Sequence, residues 1–126
     1  MKPAFDVQGH VYILLTLLFT VYGQMVIKWQ IGLAGPAPDD GGEKFLFLLR
    51  QLLNPWIISG FLAAFVAALA WMAAMTRFEL SYAYPFMSLA FVIVMGVSAV
   101  LLGEPLSVSK IAGTGVVVAG LVLLSR

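Results

Sequence analysis

Five polar side chains, Tyr12, Thr16, Thr20, Gln24 and Lys28, recur every fourth residue within an otherwise almost wholly apolar run, residues 11–31. On an α-helix, positions i and i+4 lie one above another, so the five fall on one slowly winding stripe. At about 1.5 Å of rise per residue the stripe extends about 24 Å, most of the depth of bilayer hydrocarbon. Hydroxyl, amide and ammonium groups are costly against lipid tails, so a helix carrying them turns that edge toward protein or a water-filled path. The chemistry on offer is binding rather than bond-breaking. Lys28 supplies a point positive charge, and the Gln24 amide one turn deeper adds donors and an acceptor, a pair suited to a phosphate or sugar oxygen. The other reading of Lys28, beside Trp29, is a side chain snorkelling at an aromatic belt.

Further along, Ser81, Tyr84, Pro85 and Ser88 share one helix face at i, i+3, i+4 and i+7. Pro85 has no N–H to give, so the carbonyl near Ser81 is freed or the helix bends. The site is either a polar contact for a solute or a helix start solvated by headgroups, and Pro85 and Gly96 are its points of flexibility. Glu104, in Gly103-Glu104-Pro105-Leu106-Ser107, is read as a gate or headgroup contact at the rim of the path. The alternative is a carboxylate favouring a helix N-terminus that Ser107 caps. Arg77 and Glu79 are expected to solvate their loop, and the single histidine, His10, to sit at the membrane interface. There are no cysteines. Neither a metal-ligand cluster nor a Ser/His/acid set can be assembled, so no catalytic residue, metal or cofactor is expected.

The elements that must position these groups follow from composition. Of 126 residues, 62% are hydrophobic and 10% charged, with a mean hydropathy of +1.02. Soluble domains carry roughly 25% charged residues, so this chain is built for lipid. A net charge of +1 gives no reason to expect nucleic acid. Four apolar segments reach spanning length, at 10–32, 55–76, 81–102 and 107–124, with an exposed Gly/Pro/Asp-rich loop over 34–44. The apolar stretch from 45 to 75 exceeds the roughly 20 residues of one span. Asn54-Pro55 divides it as cap and first helical residue, which leaves 45–53 as a short interfacial helix. The first segment is too long, and too polar at Gln24 and Lys28, for a cleavable signal. The expected fold is therefore an all-α integral membrane protein, a single domain of four transmembrane helices in an up-down bundle, with a short interfacial helix before the second span. Both termini then lie on one side. Lys2, Arg77 and Arg126 face Lys28, Lys44, Arg50 and Lys110 across the membrane, a near balance that tilts only slightly toward cytoplasmic termini.

Small residues mark the contacts. Gly60, Ala63, Ala64, Ala67, Ala68, Ala70, Ala73 and Ala74 give the second span a smooth face, read as packing within the chain. Ala112-Gly113 recurs seven residues later as Ala119-Gly120 in the fourth, a seam suited either to a partner subunit or to packing within the chain.

The run from Ser81 to Leu89 (SYAYPFMSL), the Gly103-Glu104-Pro105-Leu106-Ser107 element and the segment from Gly113 to Gly120 resemble the drug/metabolite transporter superfamily, which includes EamA-like and small multidrug resistance-like proteins. With Gly23-Gln24 and Lys28, the chain most resembles the small four-helix subunits of the 4-amino-4-deoxy-L-arabinose-phosphoundecaprenol flippase, over nearly its whole length except the longer loop 34–44. The resemblance implies a multi-pass protein of the bacterial inner membrane that moves a polyprenyl-phosphate-linked sugar between leaflets. Its partners would be that lipid, the surrounding membrane lipids and a second small four-helix subunit, identical or different. The related multidrug exporters use a glutamate in the first helix to bind cations and protons. No acid occurs in residues 11–31, which argues against proton/drug antiport.

In the leading reading, Gln24 and Lys28 contact the phosphate, Thr20 continues the polar wall, and Tyr84, Ser88 and Glu104 contact sugar or line the gate. Two others stand beside it: a small exporter of drugs or metabolites, and a non-transporting scaffold for a glycosyltransferase.

Overall fold

The structure, a computed structural model, describes residues 6–124, all of it helix and connections. Helix α1 (Val7–Ala34) begins at Asp6, whose carboxylate accepts the Gly9 N–H at 2.9 Å, satisfying one of the donors a helix start leaves open. Helix α2 (Gly41–Gln51) starts four residues before the expected interfacial helix, because Asp40 caps it by accepting the Glu43 N–H at 3.2 Å. Gly41, Gly42 and Lys44, expected in the 34–44 loop, thus belong to a helix. Helix α3 (Pro55–Met75) opens as anticipated, with Asn54 accepting the Trp56 N–H at 2.9 Å and Pro55 in the first turn.

The third apolar stretch is not one α-helix. It is built from α4 (Leu80–Ala83), a 3₁₀ turn over Tyr84–Ser88, and α5 (Leu89–Leu101). Pro85 cannot supply an N–H to the ladder, and the chain tightens into i→i+3 bonding around it. Helix α5 runs unbroken through Gly96, so the discontinuity sits at Pro85 alone. Helix α6 (Val108–Leu124) follows, with Ser107 accepting the Lys110 N–H at 3.1 Å. Among the described residues three helical stretches, Val7–Ala34, Pro55–Met75 and Leu80–Leu101, are long and apolar enough to cross a membrane; α6 is apolar but shorter.

Side-chain bonds at the helix ends fix the directions. Arg77, just past α3, pairs with Asp6 at 3.2 Å and donates to Gln8 at 2.6 Å. At the other end the Asn54 amide donates to Gln30 at 2.9 Å. Helices α1 and α3 are therefore antiparallel. His10 meets Tyr82 at 3.0 Å near the chain's beginning and Lys28 meets Glu104 at 3.9 Å at the far end, so the third stretch runs parallel to α1. Helix α6 returns against the 3₁₀ turn. The order is up-down throughout. Arg77 does not simply solvate its loop, as expected; it ties α3 to the start of α1.

The closest packing is between α1 and α3. A Cβ at Gly23 would lie 2.9 Å from the Gly60 carbonyl oxygen, so the two backbones touch where neither residue has a side chain. Gly60, Ala63, Ala67 and Ala74 of α3 are buried in this contact region, while Ala64 and Ala68 stay exposed on an adjacent face. The small-residue face predicted from sequence is two faces. Lipid tails offer no hydrophobic drive toward association, so such close approach is what holds the pair. Ile13, Leu17, Ala74 and Ala83 form a core cluster with Tyr12, Trp71 and Phe86 against it. In α5 and α6, only Ser98 and Leu121 are buried.

Gly23→Ala is expected to destabilise the purified protein by about 1–3 kcal/mol, the usual cost of overpacking a rigid contact, with Gly113→Ala near neutral because a Cβ there meets nothing within 4 Å. Unfolding midpoints in detergent check both. The Asp6 carboxyl is held below its ordinary value of 3.8, foremost by the Gly9 N–H and then, against some desolvation, by Arg77. A depressed carboxylate contributes its stability above the unfolded value and loses it as pH falls through the folded one. Asp6→Asn should therefore unfold more easily than the parent at neutral pH, and the gap should close as pH drops below 3.8.

Candidate functional site

Fixing Gly23 against Gly60 sets the rotation of α1 and hence where its polar edge points. Two open grooves lie along that edge. The first, about 460 Å³, runs between α1 and α3, with Thr16, Thr20 and Gln24 on one side, Ala64, Ala68 and Trp71 on the other, and Tyr84 and Met87 at one end. The second, about 790 Å³, is bounded by α1, α5, the α5–α6 loop and α6, and is lined by Thr20, Gln24, Ser98, Glu104, Ser109, Lys110 and Thr114 among apolar neighbours. Thr20, Gln24 and Met87 belong to both.

The five stripe residues divide into three tasks. Tyr12 packs against the core and accepts from the Gln8 amide at 2.9 Å. Thr16, 4% exposed, donates to the Tyr12 carbonyl at 2.8 Å. Thr20 and Gln24 face the grooves, and neither side chain hydrogen-bonds another described residue. Their hydroxyl and amide keep full capacity for a solute or water. Lys28 stands outside the lining, 3.9 Å from Glu104.

The remaining expected residues separate. Tyr84 is exposed at the first groove and meets Trp71 edge-on, ring centroids 6.1 Å apart. Ser88 lines neither groove; its hydroxyl is taken by the Pro85 carbonyl at 2.6 Å. Glu104 lines the second groove because Gly103 adopts a left-handed φ of 67°, a conformation that glycine reaches without strain. The chain then turns so that the Glu104 N–H returns to the Ser98 carbonyl at 3.2 Å.

Sequence reasoning missed Ser109, Lys110 and Thr114, although Lys110 and Thr114 carry the same i, i+4 signature that marked α1, and Thr114 donates to the Lys110 carbonyl at 2.7 Å. It also missed that His10 is more than an interfacial residue. Its ring bonds the Asp6 carbonyl at 2.7 Å and the Tyr82 hydroxyl at 3.0 Å, and packs edge-on against Phe78 and Phe86. This aromatic cluster fills the chain's N-terminal end beside the Asp6–Arg77 pair. No signal within a short window links residues so far apart in sequence. Among the described residues no group of His, Asp and Glu is arranged to hold a metal.

Apolar helices of spanning length around an open, hydrogen-bonding trough are those of a multi-pass membrane protein, and the chain belongs to the EamA-like transporter family, which matches residues 10–126. Among curated relatives it is similar to a protein of Pseudomonas aeruginosa (strain UCBPP-PA14) named probable 4-amino-4-deoxy-L-arabinose-phosphoundecaprenol flippase subunit ArnE, 32% identical over 90% of this chain and 94% of that one. It is also similar to the probable ArnF subunit of the same flippase from Enterobacter sp. (strain 638), 30% identical over 92% and 93%. A third, a probable ArnE of Aeromonas hydrophila, is 30% identical over 89% and 92%. No solved structure matches.

The absence of native cysteine allows the grooves' wetness to be read directly. Gln24→Cys should react with a charged maleimide roughly tenfold faster than Leu18→Cys, because a thiol in apolar surroundings ionises about one unit higher. Leu18 is as exposed, at 50%, but lies outside both linings. Ile13→Cys, at a position 3% exposed, should not react. Comparable rates at positions 24 and 18 would mean lipid, not water, at the polar edge.

Proposed function

We propose that this chain is a subunit of a flippase that carries a sugar on an undecaprenyl-type phosphate from the cytoplasmic to the outer leaflet of a bacterial inner membrane. The observation that carries the reading is that Thr20 and Gln24 line both of the open grooves. Carrying charges and hydroxyls unaided through hydrocarbon costs several kcal/mol per group. An open trough with one hydrogen-bonding wall lets the headgroup travel beside the protein while the prenyl tail remains in lipid. The relatives' names supply the cargo class.

In this reading α6 is the fourth span, its 17 residues reaching about 26 Å at α-helical rise. Helix α2 lies in the interface, with Phe45, Leu46, Leu48 and Leu49 exposed on a helix that also bears Glu43, Lys44 and Arg50. The termini are cytoplasmic. The functional unit is a dimer, with a second copy or a different small four-helix subunit, because α6 leaves most of its residues exposed and α5 is largely only half-buried. Helix α1 bears no acid from Val7 to Ala34, which disfavours a cation/proton exporter.

The test is translocation of a fluorescent undecaprenyl-phosphate sugar in proteoliposomes. Lys28→Ala is expected to slow it roughly tenfold, the loss of one charge-assisted contact, and Gln24→Ala to slow it less. Movement of a soluble cation against a proton gradient, with no lipid flipping, would instead establish the exporter.

A further inference from the structure

The groove between α1 and α3 ends in an aromatic corner. Trp71 is half-buried there, and the core cluster of Ile13 and Leu17 packs against its ring and holds it in place. Tyr84, 64% exposed, meets it edge-on with the two planes 80° apart. Both rings line the groove. Aromatic side chains packed in a protein usually spend their N–H or O–H on a partner. Here neither the Trp71 indole nor the Tyr84 hydroxyl hydrogen-bonds another described residue. Between this corner and the free groups of Thr20 and Gln24, the α3 wall is the small side chains of Ala64 and Ala68. Among the described residues no charged side chain lines this groove, whereas Glu104 and Lys110 line the other.

A phosphate would find no cation in this groove. A straight acyl chain would suit the alanines and leave four polar groups without partners. A sugar ring answers both features, since its C–H faces are apolar and its hydroxyls radiate from the rim. Flat aromatic walls take the face, while the hydroxyl, amide and indole groups take the rim. We infer that Trp71 and Tyr84 form a docking station for the sugar ring at the end of the first groove, apart from Lys28. This rests on the lipid-linked sugar reading and adds where the headgroup is first held. The corner lies toward the start of α1, because His10 bonds Tyr82, two residues before Tyr84, while Lys28 stands at the opposite end beside Glu104. With cytoplasmic termini, that is the leaflet from which the lipid departs. Thr20 and Gln24 then receive the rim hydroxyls as the ring advances along the stripe.

The experiment follows a trace of fluorescent undecaprenyl-phosphate sugar in proteoliposomes and competes it with two unlabelled lipids, the glycosylated one and undecaprenyl phosphate without sugar. Against the parent protein the glycosylated competitor should act at a roughly tenfold lower density in the membrane. Trp71→Leu and Tyr84→Leu should close that gap by weakening the glycosylated competitor, and Trp71→Tyr, which keeps a flat ring, should retain part of it. Tyr84→Leu, at an exposed position, decides the matter if Trp71→Leu does not fold. Equal competition in the parent, or variants that keep the gap or weaken both competitors alike, overturns the docking station and leaves the flippase reading in place. A parent that does not move the trace lipid defeats both.

Discussion

The crossing of α1 and α3 at Gly23 and Gly60 is the contact on which the remaining geometry depends. Successive residues are rotated by about 100° around a helix, so pressing Gly23 against a carbonyl of α3 leaves Gln24 turned aside. The next turns in either direction carry Thr20 and Lys28 to the same side. A side chain at Gly23, whose Cβ would lie 2.9 Å from the Gly60 carbonyl oxygen, would prop the helices apart and rotate the polar edge. In water such an edge would need no shelter; in lipid its orientation decides whether the helix is tolerated at all.

Around that crossing, polar groups are handled in two ways. Those inside the pair are satisfied internally: Thr16 by a carbonyl one turn back, Gln30 by Asn54, His10 by Asp6 and Tyr82. No buried polar side-chain atom among the described residues lacks a hydrogen-bond partner. Those along the grooves, Thr20 and Gln24, are left with capacity to spare. The division follows the packing rather than residue type, since Thr16 and Thr20 are chemically identical and a single helical turn separates them.

Much of this was legible in advance where the information is local. Cap residues at Asn54 and Ser107, the i, i+4 stripe and the effect of Pro85 all act within one or two helical turns. Asp40 is the local signal that was passed over, since Gly41 and Gly42 look like loop until a cap precedes them. What stayed hidden were meetings between distant segments. Ser88 shares a face with Tyr84, yet its hydroxyl turns to the Pro85 carbonyl, a choice made by the 3₁₀ geometry. The two-sided use of the α3 alanines depended on which of them α1 would cover. Lys110 and Thr114 of α6 carry a local i, i+4 signal of the same kind as the α1 stripe, but only the fold shows that it faces the second groove.

The 3₁₀ turn at Tyr84–Ser88 has a mechanical consequence. Below it, the third stretch is anchored to the start of α1 through Tyr82; above it, α5 and α6 fully bury one residue each, Ser98 and Leu121. With the α1–α3 pair as stator, a pivot of the upper arm would fall at a joint whose bonding is already the weaker i→i+3 kind. Such a swing would widen or narrow the larger trough while the smaller one, walled by the stator, kept its width. A single proline would then divide the molecule into one fixed and one adjustable half.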